Sequence, residues 1–184
     1  MGRVHSAIDE KLAAWVAQQQ IFFVATAPLA GDGLVNLSPK GLNSFRILDQ
    51  RTVAYLDMTG SGIETVAHLK ENGRIVIMFC AFEGSPRIVR FHGRGDVVAA
   101  ETDEFEQLRP LFHDVSGARC IIRVRCTRIS DSCGFAVPRY EFLGHRTQLV
   151  EWAEKQGADG LNAYRSQTNA ASLDGLPGLR TAAG

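Results

Sequence analysis

"IFFVATAPLAGDGLVNLSPKG", residues 21–41, is where the chain changes its period. Before it, Ile8, Leu12, Trp15, Val16 and Gln19 fall at i, i+4, i+7, i+8 and i+11. That spacing is one face of an amphipathic helix, with Ser6 as its predicted cap. Within residues 21–41, aromatic and β-branched residues run to Pro28, the turn signal "LAGDG" follows, and "LVNLSPKG" resumes as a second extended run. The stretch reads as a β-hairpin. Downstream, "NSFRIL", "RTVAYLDM", "GRIVIMFCAF", "SPRIVRFHGRGDVVAA" and "ARCIIRVRCTRIS" read as further strands. The third of these is apolar at nearly every position, which predicts cover on both faces. In the fourth, Arg87, Val89 and Phe91 share one face while Ile88, Arg90, His92 and Arg94 share the other. In the fifth, Ile122, Val124 and Cys126 oppose Arg123, Arg125 and Thr127.

Helical segments are few. One follows the glycine-rich turn near residue 60, and "TDEFEQLRPLF" forms another, capped by Thr102 or Asp103. Two more, "HRTQLVEWAEKQG" and "DGLNAYRSQ", precede the tail "NAASLDGLPGLRTAAG". The pattern predicts a mainly β (α+β) chain: an antiparallel barrel with flanking helices, forming one domain over residues 1–184. The barrel core is placed at about residues 20–130, and the C-terminal helices and tail at about 140–184.

Composition narrows the function classes. The 184 residues carry 20 Lys and Arg against 20 Asp and Glu, so the formal charge is zero. A nucleic-acid partner calls for a basic excess, and so does an anionic membrane surface; neither partner is expected. No run approaches the ~20 apolar residues that span a bilayer. Cys80, Cys120, Cys126 and Cys133 form no C-x-x-C pair and stand at no zinc-ligand spacing from a histidine. Free thiols without a leader sequence predict a cytoplasmic protein.

The segment "DMTGSGIETVAHLKENGRIVIMF", residues 57–79, carries the candidate chemistry. It joins a strand end, a turn with Thr59, Gly60, Ser61 and Gly62, and a helix that begins near Thr65 and stops at Gly73. Such a junction supplies free N–H donors and the positive end of a helix dipole, while glycine lets an anion approach the backbone. The competing reading is a helix cap, with Ser61 or Thr59 as the N-cap and Glu64 reaching back in a capping box. Positive charge for a phosphate would come from Lys40, Arg87 or Arg90.

Three stretches in order, "FFVATAPLAGDGLVNLSPKG", "VAYLDMTGSGIETVAHLKENGRIVIMF" and "PRIVRFHGRGDVV", resemble the pyridoxamine 5′-phosphate oxidase-like, FMN-binding split-barrel family over about residues 10–130. "DSCGFAVPRYEF" and "SLDGLPGL" resemble a bacterial subgroup of it whose substrate is unassigned. The resemblance implies a six-stranded split barrel and a homodimer with one FMN in each of two interface clefts. It places the family's lysine, at the end of the second strand, on Lys40, and its threonine on Thr59. Many members carry an Arg-Lys pair at the start of the helix to bind the FMN phosphate; here Glu64 and Thr65 stand there. The implied substitutes are Gly60, Ser61, Thr65 and Arg87, with Arg90 beside them. Asn36 and Ser38 alternate with Leu37 and so line the same cleft.

A bound flavin carries the redox chemistry while the protein binds and orients it. The resemblance therefore implies an FMN-dependent oxidoreductase acting on a small molecule. Lys40 would place positive charge near the flavin N1/O2 edge. Two alternatives share the fold: a flavin-binding carrier or sensor without turnover, and a reductase using the deazaflavin F420. The resemblance does not make pyridoxamine phosphate the expected substrate: it implies a C-terminal arginine and histidine to hold that molecule, and no histidine follows His145. His92 and His113 are candidate acids by residue type alone. Trp152 belongs to a helical stripe with Leu149, Ala153 and Gln156 and reads as packing.

Overall fold

The computed structural model describes residues 2–179. One curled antiparallel sheet dominates it. Its strands are β1 (Val4–His5), β2 (Phe22–Thr26), β3 (Asn36–Lys40), β4 (Phe45–Ile47), β5 (Thr52–Met58), β6 (Arg74–Cys80), β7 (Ile88–Ala99) and β8 (Ala118–Ser132). The helices are α1 (Glu10–Ala17), α2 (Glu64–Asn72), α3 (Asp103–Leu108) and α4 (Gln148–Thr168). The order across the sheet is β3-β2-β6-β7-β8-β5-β4, with β1 added on β8. The periods read seven strands and the family resemblance implies six; the sheet has eight, and the one not read is β1, whose two residues are too few to show a period.

The predicted hairpin forms: Phe22 pairs with Lys40 and Thr26 with Asn36. Curling then brings strands far apart in sheet order into contact. Phe22 of β2 lies 5.3 Å from Phe45 of β4, ring centre to ring centre, and Phe79 and Phe91 complete the cluster at 4.9 and 6.1 Å from Phe45. Tilted aromatic pairs at these separations add attraction beyond area burial. Strand β5 is buried on both faces. Val53 and Tyr55 point into the barrel core, while Ala54 and Leu56 pack under α3 with Val98, Phe105 and Ile121.

Helix ends follow local chemistry. The cap of α1 is Asp9, whose carboxylate accepts from the Leu12 amide at 2.7 Å; the predicted Ser6 lies three residues too early. Thr102 caps α3, accepting from the Phe105 amide. Gly73 ends α2 in the left-handed region at φ 68° with its amide on the Leu69 carbonyl, as the sequence predicts. The two C-terminal helices form one run, broken at Gly157 where φ is 64°.

An ionic knot ties the N-terminal segment to the sheet. Asp131 of β8 accepts from the Arg3 amide and from His5 Nε2 at 2.9 Å, and it pairs with Arg87 at 2.8 Å. Burial pushes its carboxyl up, but His5, Arg87 and the Arg3 amide outweigh burial and bring it down to about 2. Because the folded value lies below the ordinary value, the knot contributes fully above about pH 4 and is lost as pH falls towards 2. Asp131→Asn is expected to lower Tm by a few degrees at neutral pH and by much less near pH 2, read by thermal denaturation at both. An equal loss at both values would show that charge is not what binds the segment.

Candidate functional site

A cavity of about 340 Å³ opens between β3, the end of β5 and the first turn of α2. Alternation along β3 puts Asn36, Ser38 and Lys40 on its inner side and leaves Leu37 64% exposed on the outer. Thr59 and Gly60 approach from the turn after β5, and Thr65 from α2. Six of the nine residues singled out from sequence therefore meet in one cleft. Ser61 sits exposed at the top of the turn beside it. Arg87 and Arg90 do not line it. Arg87 is occupied with Asp131 and lies over the Trp15 ring at 5.1 Å, and Arg90 donates to Ser132 Oγ at 3.1 Å.

The glycine-rich turn is not a capping box. The N-cap of α2 is Ile63, with no side-chain cap bond. Glu64 turns instead towards the C-terminal tail, where its Oε1 lies 3.4 Å from the Leu173 amide. What holds the turn is Arg119 of β8, which donates to the carbonyls of Gly62 at 2.8 Å and Gly60 at 3.4 Å. Asn169 Nδ2 donates to the same Gly60 carbonyl at 2.9 Å. In a trans peptide the N–H points opposite to the C=O. Carbonyls drawn inward by Arg119 and Asn169 therefore turn the amides of Ser61 and Ile63 the other way. Space above Gly60 is open, with no heavy atom within 4 Å of where a Cβ would stand.

Beneath the turn lies a buried carboxylate. Asp57 is fully buried and paired with Lys40 Nζ at 2.9 Å and Arg119 Nε at 2.7 Å. Burial would raise its pKa, but the two cations overcome burial and hold it below the usual carboxylate value. Burial likewise pulls Arg119 down, and the Asp57 charge more than restores it. Arg165 of α4 adds a third cation, donating to Thr59 Oγ1 at 2.9 Å and to the Ala118 carbonyl. Lys40, Arg119 and Arg165 against Asp57 and Glu64 leave the cleft one positive charge in excess. The Thr59 hydroxyl, already an acceptor from Arg165, keeps its own proton to donate.

Leaving β3, the chain turns sharply through Leu42 and Asn43, both in the left-handed region at φ 58° and 49°. Consecutive non-glycine residues there are uncommon, and such backbone is found where a site needs it. Leu42 lines the cleft at that bend.

Sequence reasoning missed Asp57, Arg119, Arg165 and Asn169 as parts of this site. One signal was present. In the alternation Val53, Tyr55, Asp57 the third residue of a buried face is a carboxylate, and a buried carboxylate requires a cation. Which cation could not be read, because Arg119 and Arg165 are 62 and 108 residues away along the chain. Among the described residues no group of His, Cys, Asp and Glu could hold a metal ion.

A family model described as pyridoxamine 5′-phosphate oxidase matches residues 8–133. The chain is 37% identical over 195 aligned residues to the pyridoxamine 5′-phosphate oxidase family protein ustO of Aspergillus flavus, covering 97% of this chain and 78% of that protein. Among solved structures it is similar to a variant of HupZ from Group A Streptococcus, with a TM-score of 0.53 and 23% identity over 68% of this chain and 99% of that one. A Lactobacillus delbrueckii protein, provisionally assigned as a pyridoxamine 5′-phosphate oxidase, has a TM-score of 0.50 and 15% identity over 68% and 94%. At such identities the two structures speak for the split-barrel fold. The matched family region and the 37% relative together establish that this chain belongs to the pyridoxamine 5′-phosphate oxidase family.

Proposed function

We propose that the chain binds FMN in this cleft, works as a homodimer, and is a flavin-dependent oxidoreductase of a small molecule. The observation that carries the reading is the anion-ready turn: outward amides at Ser61 and Ile63, open space over Gly60, and a net positive charge beneath. Those groups fit a phosphate without the Arg-Lys pair. Thr59 and Thr65 supply hydroxyls, and Arg119 and Arg165 supply charge from behind the turn rather than from the helix. Asn36, Ser38 and Lys40 line the neighbouring wall, suited to the polar edge of the ring. When bound, the flavin supplies the redox step. Lys40, paired to Asp57, holds a fixed positive charge at the cleft wall. Arg87 and Arg90 remain in the proposal as residues that a second copy would present.

Support for the dimer lies on the outer side of the edge strand β3 and in the two residues that lead into it. Leu34, Val35 and Leu37 are 53, 74 and 64% exposed beside the cleft. An apolar row on an open edge is a surface that association would cover. Among the described residues no helix is long and apolar enough to cross a membrane. All four cysteines are free, which supports a cytoplasmic setting.

The test is the absorption spectrum of the purified protein, followed by titration with FMN and F420. One tightly bound FMN per subunit is expected. Failure to bind FMN would overturn the reading, and binding of F420 alone would replace the cofactor. Turnover with reduced nicotinamides then separates an enzyme from a carrier.

A further inference from the structure

A line of hydrogen bonds runs from the cleft through the barrel wall to the C-terminal tail. Ser38 Oγ donates to Asn36 Oδ1 at 3.0 Å. Asn36 Nδ2 faces Thr65 Oγ1 at 3.0 Å and Thr26 Oγ1 at 3.1 Å. Thr26 Oγ1 lies 3.0 Å from Nδ1 of His68, which is fully buried in α2. The far nitrogen of that ring, Nε2, is buried without a hydrogen-bond partner, and Asp174 Oδ2 stands 3.9 Å away. Asp174 is itself fastened, accepting from the Leu34 amide just before β3.

Proton counting gives the line a direction. The two Asn36 amide protons go to Thr26 and Thr65, so both hydroxyls accept there and must place their own protons elsewhere. For Thr26 the available acceptor is His68 Nδ1, which must then be bare. The ring proton consequently sits on Nε2, facing the Asp174 carboxylate. Thr65 also faces the buried Tyr55 hydroxyl, whose own proton needs an acceptor and can take the second lone pair of Thr65. The direction left for the Thr65 proton is the cleft. Ser38 has given its proton to Asn36 and shows the cleft only lone pairs.

We propose that His68, oriented by Asp174, is a positioning residue that sets this direction and so decides which cleft hydroxyl donates to a bound anion. With His68 neutral, Thr65 offers a proton and Ser38 an acceptor. With His68 protonated, Nδ1 donates to Thr26, the Thr26 proton needs a new acceptor, and the Asn36 amide turns over to provide it. The Thr65 proton is then drawn to Asn36 while the turned amide donates to Ser38, so the cleft donor moves from Thr65 to Ser38 and an anion at the turn loses its Thr65 donor. Burial lowers the His68 pKa, against the opposing pull of Asp174 from the tail and of Glu64 and Glu71 from its own helix, so the neutral, donor-ready state holds at neutral pH. The hydrogen-bond line stands on its own geometry; that its ligand is the FMN phosphate rests on the function proposed above.

Two measurements test it. The first is the imidazole tautomer of His68 in the unaltered, isotope-labelled chain, read by long-range proton–nitrogen correlation. A proton on Nε2 with Nδ1 bare is expected, and a proton on Nδ1 at neutral pH would overturn the proposal whether or not flavin binds. The second is FMN and riboflavin affinity between about pH 5.5 and 8 for wild type, His68→Asn and Thr26→Val. Asparagine keeps an acceptor for Thr26 but does not titrate. Relative to His68→Asn, which cancels the ligand's own phosphate titration, wild type should lose FMN affinity several-fold as pH falls, with little change for riboflavin. Thr26→Val should lose the same several-fold preference for FMN at every pH. Identical pH profiles for wild type and His68→Asn would overturn the proposal. Loss of FMN binding at all pH values in wild type would instead sink the flavin reading, leaving the tautomer to decide the direction of the line.

Discussion

Asp57→Ala is expected to destabilise the fold by about 3–5 kcal/mol, the cost of removing one partner from a buried ion pair. The carboxylate is fully buried, and the Arg119 side chain is only 4% exposed. Without Asp57, the Arg119 guanidinium keeps its bonds to the Gly60, Gly62 and Asn169 oxygens but loses its only ionic partner among the described residues. Lys40 behaves differently, because its side chain is 23% exposed and can swing into water. Adding Arg119→Met to Asp57→Ala should therefore recover part of the loss, since the double variant leaves no unpaired buried charge. Urea denaturation checks both. A single-variant loss below about 1 kcal/mol, in the range of exposed pairs, would show that the cluster is solvated and is not the base of the turn.

The second large effect concerns binding. Lys40→Ala is expected to leave the protein folded, because Asp57 retains Arg119 at 2.7 Å. FMN affinity should nevertheless fall by about tenfold or more, roughly 1.4 kcal/mol. Lys40 ends β3 opposite Phe22, so register fixes where its stem leaves the sheet, and Asp57 fixes where the ammonium stops. A charge held in place at the wall costs a ligand no reorganisation, unlike a mobile surface lysine. Equilibrium titration followed by flavin fluorescence measures the change. Unchanged affinity, with an unchanged thermal midpoint, would remove Lys40 from the site.

On the proposed reading, the same cluster would hold an anion without the Arg-Lys pair. Glu64 stands where a cation would otherwise begin the helix, and it turns to the tail. Charge arrives from strand β8 and helix α4, through Arg119 and Arg165. Arg119 orients the turn's carbonyls as well as adding charge, and Arg165 fixes the Thr59 hydroxyl. An Arg119→Met chain would lose both contributions together.

Much of this was legible without coordinates. The hairpin of residues 21–41, the alternation of β7 and β8, the stop of α2 at Gly73 and the break near Gly157 all follow from periods and turn chemistry between near neighbours in sequence. Asn36, Ser38 and Lys40 could be put on one face because a strand alternates with a period of two, and Thr59, Gly60 and Thr65 could be put at one junction because they lie within one short stretch of chain. Local signals misled only where two local solutions compete: Asp9 outcompeted Ser6 as a cap, and Ser61 with Glu64 has the spacing of a capping box that never forms. Tertiary structure alone decided the rest. Arg119, Arg165, Asn169 and Asp174 join the site from 57 to 115 residues beyond the turn. Arg87, chosen from sequence for the phosphate, goes to Asp131 because pairing of β7 with β8 sets Val89 opposite that carboxylate. A buried charge takes whichever opposite charge the fold brings within about 4 Å, and that choice is made by strand order, which no local period encodes.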